Sequence, residues 1–141
     1  RYTCCADPAP GQFSNNDPAD SSFLPVYSTA VGYDGYLHWS FQNWNDKPMT
    51  DTRWRMFGPG DTFFIYPDGR SSVRYERFVE GIQLSEKIRL LREFMTADGD
   101  TQGIQRLENA LGPIRSVGMS AAVSSATIVN DLSVAISLLS R

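Results

Sequence analysis

Tyr36-Leu37-His38-Trp39-Ser40-Phe41 decides how the chain is read. Large β-favouring side chains follow the turn former Asp34-Gly35 and are only imperfectly interrupted by polar ones, so a strand buried on both faces is expected over about 35 to 41. Just before it, Phe23, Leu24, Tyr27, Ala30 and Val31 recur at helical spacing. They predict a helix over about 20 to 31, capped by Asp20 or Ser21, with Pro25 in its tolerated first turn and Gly32 ending it. Further upstream, Tyr2-Thr3-Cys4-Cys5 suits a strand over about 1 to 5 that Asp7-Pro8-Ala9-Pro10-Gly11 stops. Strand, helix, strand implies a right-handed parallel crossover, whose ligand site lies beyond the carboxyl ends of the strands. Here those ends are Cys5-Ala6-Asp7 and Phe41-Gln42-Asn43-Trp44.

Downstream, residues 43 to 70 form a long loop of the kind that commonly carries function. Within it Asp61-Thr62-Phe63-Phe64-Ile65-Tyr66 can make a short strand before a Pro67-Asp68-Gly69 turn. Ser72 is placed to cap the longest helix, about 73 to 96, with Phe78, Val79, Ile82, Leu91, Phe94 and Met95 as its core stripe. Ala97-Asp98-Gly99-Asp100 breaks it. A second helix fits Thr101 to Leu111, ended by Gly112-Pro113, and a third fits about Ser120 to Leu139. Every aromatic residue lies between Tyr2 and Phe94, so any chemistry belongs to the first two thirds.

The 141 residues, 41% hydrophobic, suffice for one domain with its own core. A net charge of -3 argues against phosphate-driven nucleic-acid binding. The apolar runs fall far short of the roughly 18 residues that cross a bilayer. Neither nucleic acid nor a membrane is therefore an expected partner. Cys4 and Cys5 are adjacent, which suits neither an unstrained disulfide nor a metal site, and they read as small buried hydrophobes. With His38 the lone histidine, no zinc site and no histidine-based triad is expected, and no cofactor is implied.

The string Gly32-Tyr33-Asp34-Gly35-Tyr36-Leu37-His38-Trp39 is continued by Asp51-Thr52-Arg53 and by Gly60-Asp61-Thr62-Phe63-Phe64-Ile65-Tyr66-Pro67. Arg70-Ser71-Ser72-Val73-Arg74-Tyr75-Glu76-Arg77 and Glu80-Gly81-Ile82-Gln83 complete it. Over about residues 1 to 95 this resembles the end of the catalytic region of glycoside hydrolase family 123, the β-N-acetylgalactosaminidase family. The resemblance implies an α/β fold: the C-terminal portion of a (β/α)8 TIM-like barrel, its last two strands and helices in residues 1–97, then a helical extension over 98–141. It implies an N-acetylhexosaminide substrate and a retaining, substrate-assisted mechanism. In that mechanism the 2-acetamido oxygen attacks the anomeric carbon, a Glu protonates the leaving group and an adjacent Asp orients the acetamido group. The sequence holds no Asp-Glu dipeptide, so no catalytic role is carried over. The expected partners are a glycan and the N-terminal part of the same barrel or another chain. A bacterial secreted or periplasmic setting is suggested by the resemblance only.

Sugars offer apolar C–H faces to aromatic rings and hydroxyls to planar donors and acceptors. Trp39, Asn43, Trp44 and Asp46 supply both kinds of group at one strand end. Trp39 is either the pocket floor or a core tryptophan; Tyr2 either donates to an acetamido carbonyl or fills the barrel wall. Asp61, after Gly58-Pro59-Gly60, is a ligand contact or a turn cap. Asp17 reads as a solvated loop residue, Asp51-Thr52-Arg53-Trp54-Arg55 as a loop salt bridge rather than a sugar edge, and His38 as an interior histidine. Arg70, Arg74, Glu76, Arg77 and Glu80 read as helix-surface pairs. The competing function is a non-catalytic carbohydrate-binding or helical interaction module.

Overall fold

The computed structural model describes residues 2–3, 10–117 and 124–140. β1 (Tyr2–Thr3) and β2 (Leu37–His38) pair in parallel, Tyr2 opposite Leu37 and Thr3 opposite His38. α1 (Ala19–Ala30) lies between them in sequence, as the crossover reading requires. Both strands are two residues long, shorter than the runs expected, and the described chain is mostly helical. Cys4 and Cys5 lie outside the described residues.

α1 starts at Ala19, before its expected caps. Asp17 Oδ1 accepts from the Ala19 amide at 2.9 Å. Asp20 is instead 2% exposed and accepts from the Gly11 amide, Asn16 Nδ2 and, at 2.6 Å, Ser125 Oγ. The carboxylate thus ties the first loop and the last helix to α1, which a capping role would not do. The early start also places Pro25 inside the helix rather than in its first turn. An interior proline costs about 3 kcal/mol; full burial of Phe23, Leu24 and Val26 around it, worth about 1.5–3 kcal/mol each, offsets that. Gly32, at φ +82°, ends the helix as expected.

α2 (Val73–Ala97) begins where expected, with Ser72 Oγ accepting from the Tyr75 amide. Its buried face is Gly81, Leu84, Ile88 and Met95, with Leu91 partly buried beside them. Of the expected stripe, Phe94 is 66% and Ile82 47% exposed. The correction follows from Gly81, which sets the helix rotation by letting α1 approach. A Cβ there would stand 2.3 Å from the Ser22 carbonyl oxygen, and Ser22 Oγ donates to the Arg77 carbonyl at 2.8 Å. Phe78 faces the aromatic layer instead, stacked on Phe64 at 5.3 Å.

Gly99, at φ +69°, makes the break to α3 (Thr101–Val117). α3 runs through Gly112-Pro113 instead of stopping at Leu111. Its last turn is held from outside, because Ile114 is buried and Arg115 Nε donates to the Ala30 carbonyl at 2.7 Å. Tertiary packing there outweighs the local break. α4 (Ser125–Leu139) follows, and residues 120 to 123 of the helix expected there lie outside the described residues. All four helices share one core, with Phe23 and Val26, Leu84 and Ile88, Leu107 and Leu111, and Leu132 and Ile136 as its centre. None is long and apolar enough to cross a membrane.

The Gly81 contact gives a first test. Gly81→Ala gains up to about 1 kcal/mol of helix propensity but forces Cβ into a backbone carbonyl, an overpacking cost of about 1–3 kcal/mol. The net expectation is a lower midpoint in urea unfolding, with an unchanged m-value.

Candidate functional site

The chain between β2 and α2 is built on the buried segment Asp61-Thr62-Phe63-Phe64, each residue at most 2% exposed. It forms isolated antiparallel bridges, Gln42 to Phe63 and Ile65 to Ser71, rather than the regular strand expected. Side chains that leave the strand end take up its polar groups. His38 Nε2 lies 2.7 Å from the Asp61 carbonyl oxygen, and Trp39 Nε1 donates to Asp61 Oδ2 at 2.9 Å. Ser40 Oγ donates to the Thr62 carbonyl at 2.8 Å, and Thr62 Oγ1 donates to the Asn43 carbonyl at 2.6 Å. The Pro67-Asp68-Gly69 turn is present, with Gly69 at φ +82°.

Trp39 and Asp61 are therefore brought together at the carboxyl end of β2. Trp39 is half-buried, and one neighbour of its ring is Phe57, centroid to centroid 4.5 Å. Asn43 is exposed, with Nδ2 bonded to Ser40 Oγ. Trp44 Nε1 donates to the Ile65 carbonyl, which anchors that indole to the loop rather than to Trp39. Tyr2 stands opposite Leu37 in the backbone register. Asp46 is exposed.

His38 is more than interior filling. A carbonyl only accepts, so Nε2 carries the proton, and Nδ1 is buried with no partner. Burial pulls the His38 pKa below its ordinary 6.5, against the opposing bond to the Asp61 carbonyl and the Asp61 charge. Arg74 leaves its expected helix-surface pairs. Nη2 donates to the Phe63 carbonyl at 2.6 Å, Nη1 to Ser14 Oγ, and burial lowers its pKa. The other arginines behave as expected of surface pairs. Arg77 meets Glu80 at 2.7 Å and Arg70 meets Asp68 at 2.6 Å. Arg53 forms the loop bridge, holding the Asp51 carboxyl down at about 2 through the hydrogen bonds it gives.

No sequence signal marks Phe57, and Arg55, expected within the 51–55 loop salt bridge, forms no ion pair among the described residues, the bridge being made by Arg53 alone. Trp54 and Phe57 bridge across a two-residue turn and their rings stack at 5.8 Å and 15°. The Arg55 guanidinium lies 4.3 Å over Trp54. The alternation of charge and aromatic residues at 51–55 was the available signal, but it does not tell a bridged arginine from a stacked one.

Residues 1–91 match the family described as Glycoside hydrolase 123, catalytic domain. The chain belongs to that family. A family 123 glycoside hydrolase from Clostridium perfringens, solved to detail glycolipid glycan hydrolysis, is similar at 27% identity with a TM-score of 0.76. The match covers 99% of this chain and 27% of the clostridial one, so the chain spans about a quarter of that glycoside hydrolase. No curated protein matches the chain.

The neutral His38 sets a pH dependence within this family 123 segment. A histidine whose folded pKa is depressed binds fewer protons when folded, so its contribution is complete above about 6.5 and declines as pH falls toward the folded pKa. Melting temperatures between about pH 7.5 and 5 should fall less steeply in His38→Gln, whose amide can still donate to the Asp61 carbonyl.

Proposed function

We propose that the chain forms the end of a (β/α)8 barrel in a β-N-acetylgalactosaminidase-like hydrolase, and that it supplies part of the sugar pocket but not the acid or base. β1 and β2 are its last two strands, residues 1–97 its final barrel portion and 98–141 a helical extension. The substrate class is an N-acetylhexosaminide, cleaved with retention by the substrate's own acetamido group. One observation carries this reading. Trp39, at the carboxyl end of a parallel strand, has its indole N–H held by the buried Asp61 carboxylate. A tryptophan fixed in that way offers a preset ring face to a sugar without ordering it at the moment of binding. Tyr2, Asn43 and Trp44 are the accompanying wall, and Asp61 acts through Trp39.

The barrel reading has independent support at β2. Leu37 is 67% and Phe41 47% exposed beside a two-stranded sheet, an apolar face suited to further strands of the same barrel or of another chain. The glycolipid-glycan activity of the clostridial enzyme supports a glycan substrate here.

Two measurements test the proposal. The 141-residue chain alone should not turn over a chromogenic β-N-acetylgalactosaminide, since a general acid is worth about 10²–10⁴ in rate and the family's Asp-Glu pair is not in it. Turnover by the pure chain would overturn the assignment of roles. In the full gene product, Trp39→Ala should lower kcat/KM by about tenfold or more while Trp39→Phe keeps part of the activity. Normal kcat/KM in a Trp39→Ala protein that is merely less stable would show a packing role instead.

A further inference from the structure

We propose that Arg55 is a preset anion contact for the glycan, taking a carboxylate or sulfate carried by a sugar next to the one seated on Trp39. The inference rests on the sugar-site reading of Trp39 and extends it through the ring contacts that join Trp39 to Arg55. Trp39 meets Phe57 at 4.5 Å, Phe57 stacks on Trp54, and the Arg55 guanidinium lies 4.3 Å over that indole. A stack of ring contacts thus links Trp39 to a positive charge without a gap.

Two features separate Arg55 from the neighbouring arginines. Its φ of +54° is left-handed, the one such value at a non-glycine among the described residues, in a turn closed by the Phe57 amide to the Trp54 carbonyl at 3.0 Å. Glycine would sit there without strain, so a long cationic side chain is being held in an unfavourable backbone state. Its charge is also uncommitted. Arg53 is spent on Asp51 and Arg70 on Asp68, whereas Arg55 is exposed and forms no ion pair among the described residues. The cation–π contact with Trp54 holds the guanidinium carbon over the ring and leaves N–H groups for an acceptor. A planar fork of donors matches a carboxylate in two parallel bonds and also suits a sulfate.

Isothermal titration of the full gene product tests this with three probes: a neutral N-acetylgalactosamine-terminated oligosaccharide, the same core bearing a sialic acid, and the same core bearing a sulfate. At least one acidic probe should bind about tenfold tighter than the neutral one. Which acidic probe gains identifies the source of the anion. The gain should vanish in about 0.5 M NaCl. Arg55→Gln should abolish the gain and leave neutral binding unchanged. Arg55→Gly should raise the melting temperature, because the strain is relieved, and still lose the gain. Neutral binding without an acidic gain, or a gain that survives Arg55→Gln, overturns the role of Arg55 alone. Failure to bind any probe overturns both it and the sugar reading of Trp39.

Discussion

The burial of Asp61-Thr62-Phe63-Phe64 is the constraint on which the site depends. Four consecutive residues with almost no exposure bring a carboxylate and a row of backbone groups out of water, and each must find a partner. Those partners come from the strand end and from α2. His38, Trp39 and Ser40 reach in from one side, and the Ser72 amide and Arg74 guanidinium from the other. A region that sequence describes as a loop of nearly 30 residues is thereby stitched to the strand it follows and the helix it precedes. Trp39 inherits its orientation from this stitching. Its ring is aimed by the hydrogen bond its indole N–H gives to the buried Asp61 carboxylate.

What was legible in sequence was local. The Gly32 and Gly99 stops, the Ser72 cap and the Pro67-Asp68-Gly69 turn all depend on interactions within a few residues, and all are present. Failures occurred where a distant partner decides. The Gly112-Pro113 pair would end an isolated helix, but Arg115 and Ile114 secure the next turn against α1 and the core. Periodicity places Leu91 and Met95 on the core side of α2 correctly but puts Phe94 and Ile82 there too, since these are as apolar as the residues that are buried. The rotation is decided by a backbone approach at Gly81, a residue with no hydrophobic weight in such a pattern.

The site was legible to a lesser degree for the same reason. Trp39 and Asp61 could each be nominated, as an aromatic at a strand end and an acid after a flexible turn, but not their bond across 22 positions. Alternation with Leu37 and Trp39 places His38 in the interior, as its burial shows, and says nothing of its single tautomer and open Nδ1. Helical spacing predicts Arg74 as a surface partner of nearby glutamates. Its use on the Phe63 carbonyl comes from the loop folding over the start of α2.

The division of labour between the two ends of the chain follows from energetics. The helical core holds Ile88, Leu107, Leu111 and Ile136 with at most 1% exposure, each worth about 1.5–3 kcal/mol of burial. The loop end instead carries costs: a depressed histidine, a buried guanidinium with an unpartnered Nε, and a left-handed arginine. Strain of that kind persists only when the surroundings over-determine it, at about 1–3 kcal/mol for each unfavourable backbone state. α1 and α2 link the two, being locked by α3 and α4 at the core while the first turn of α2 receives the loop through Ser72 and Arg74. α3 and α4, which carry no aromatic residue, therefore contribute to the loop end through the shared core, whose stability lets strained and poorly paired groups stay in place.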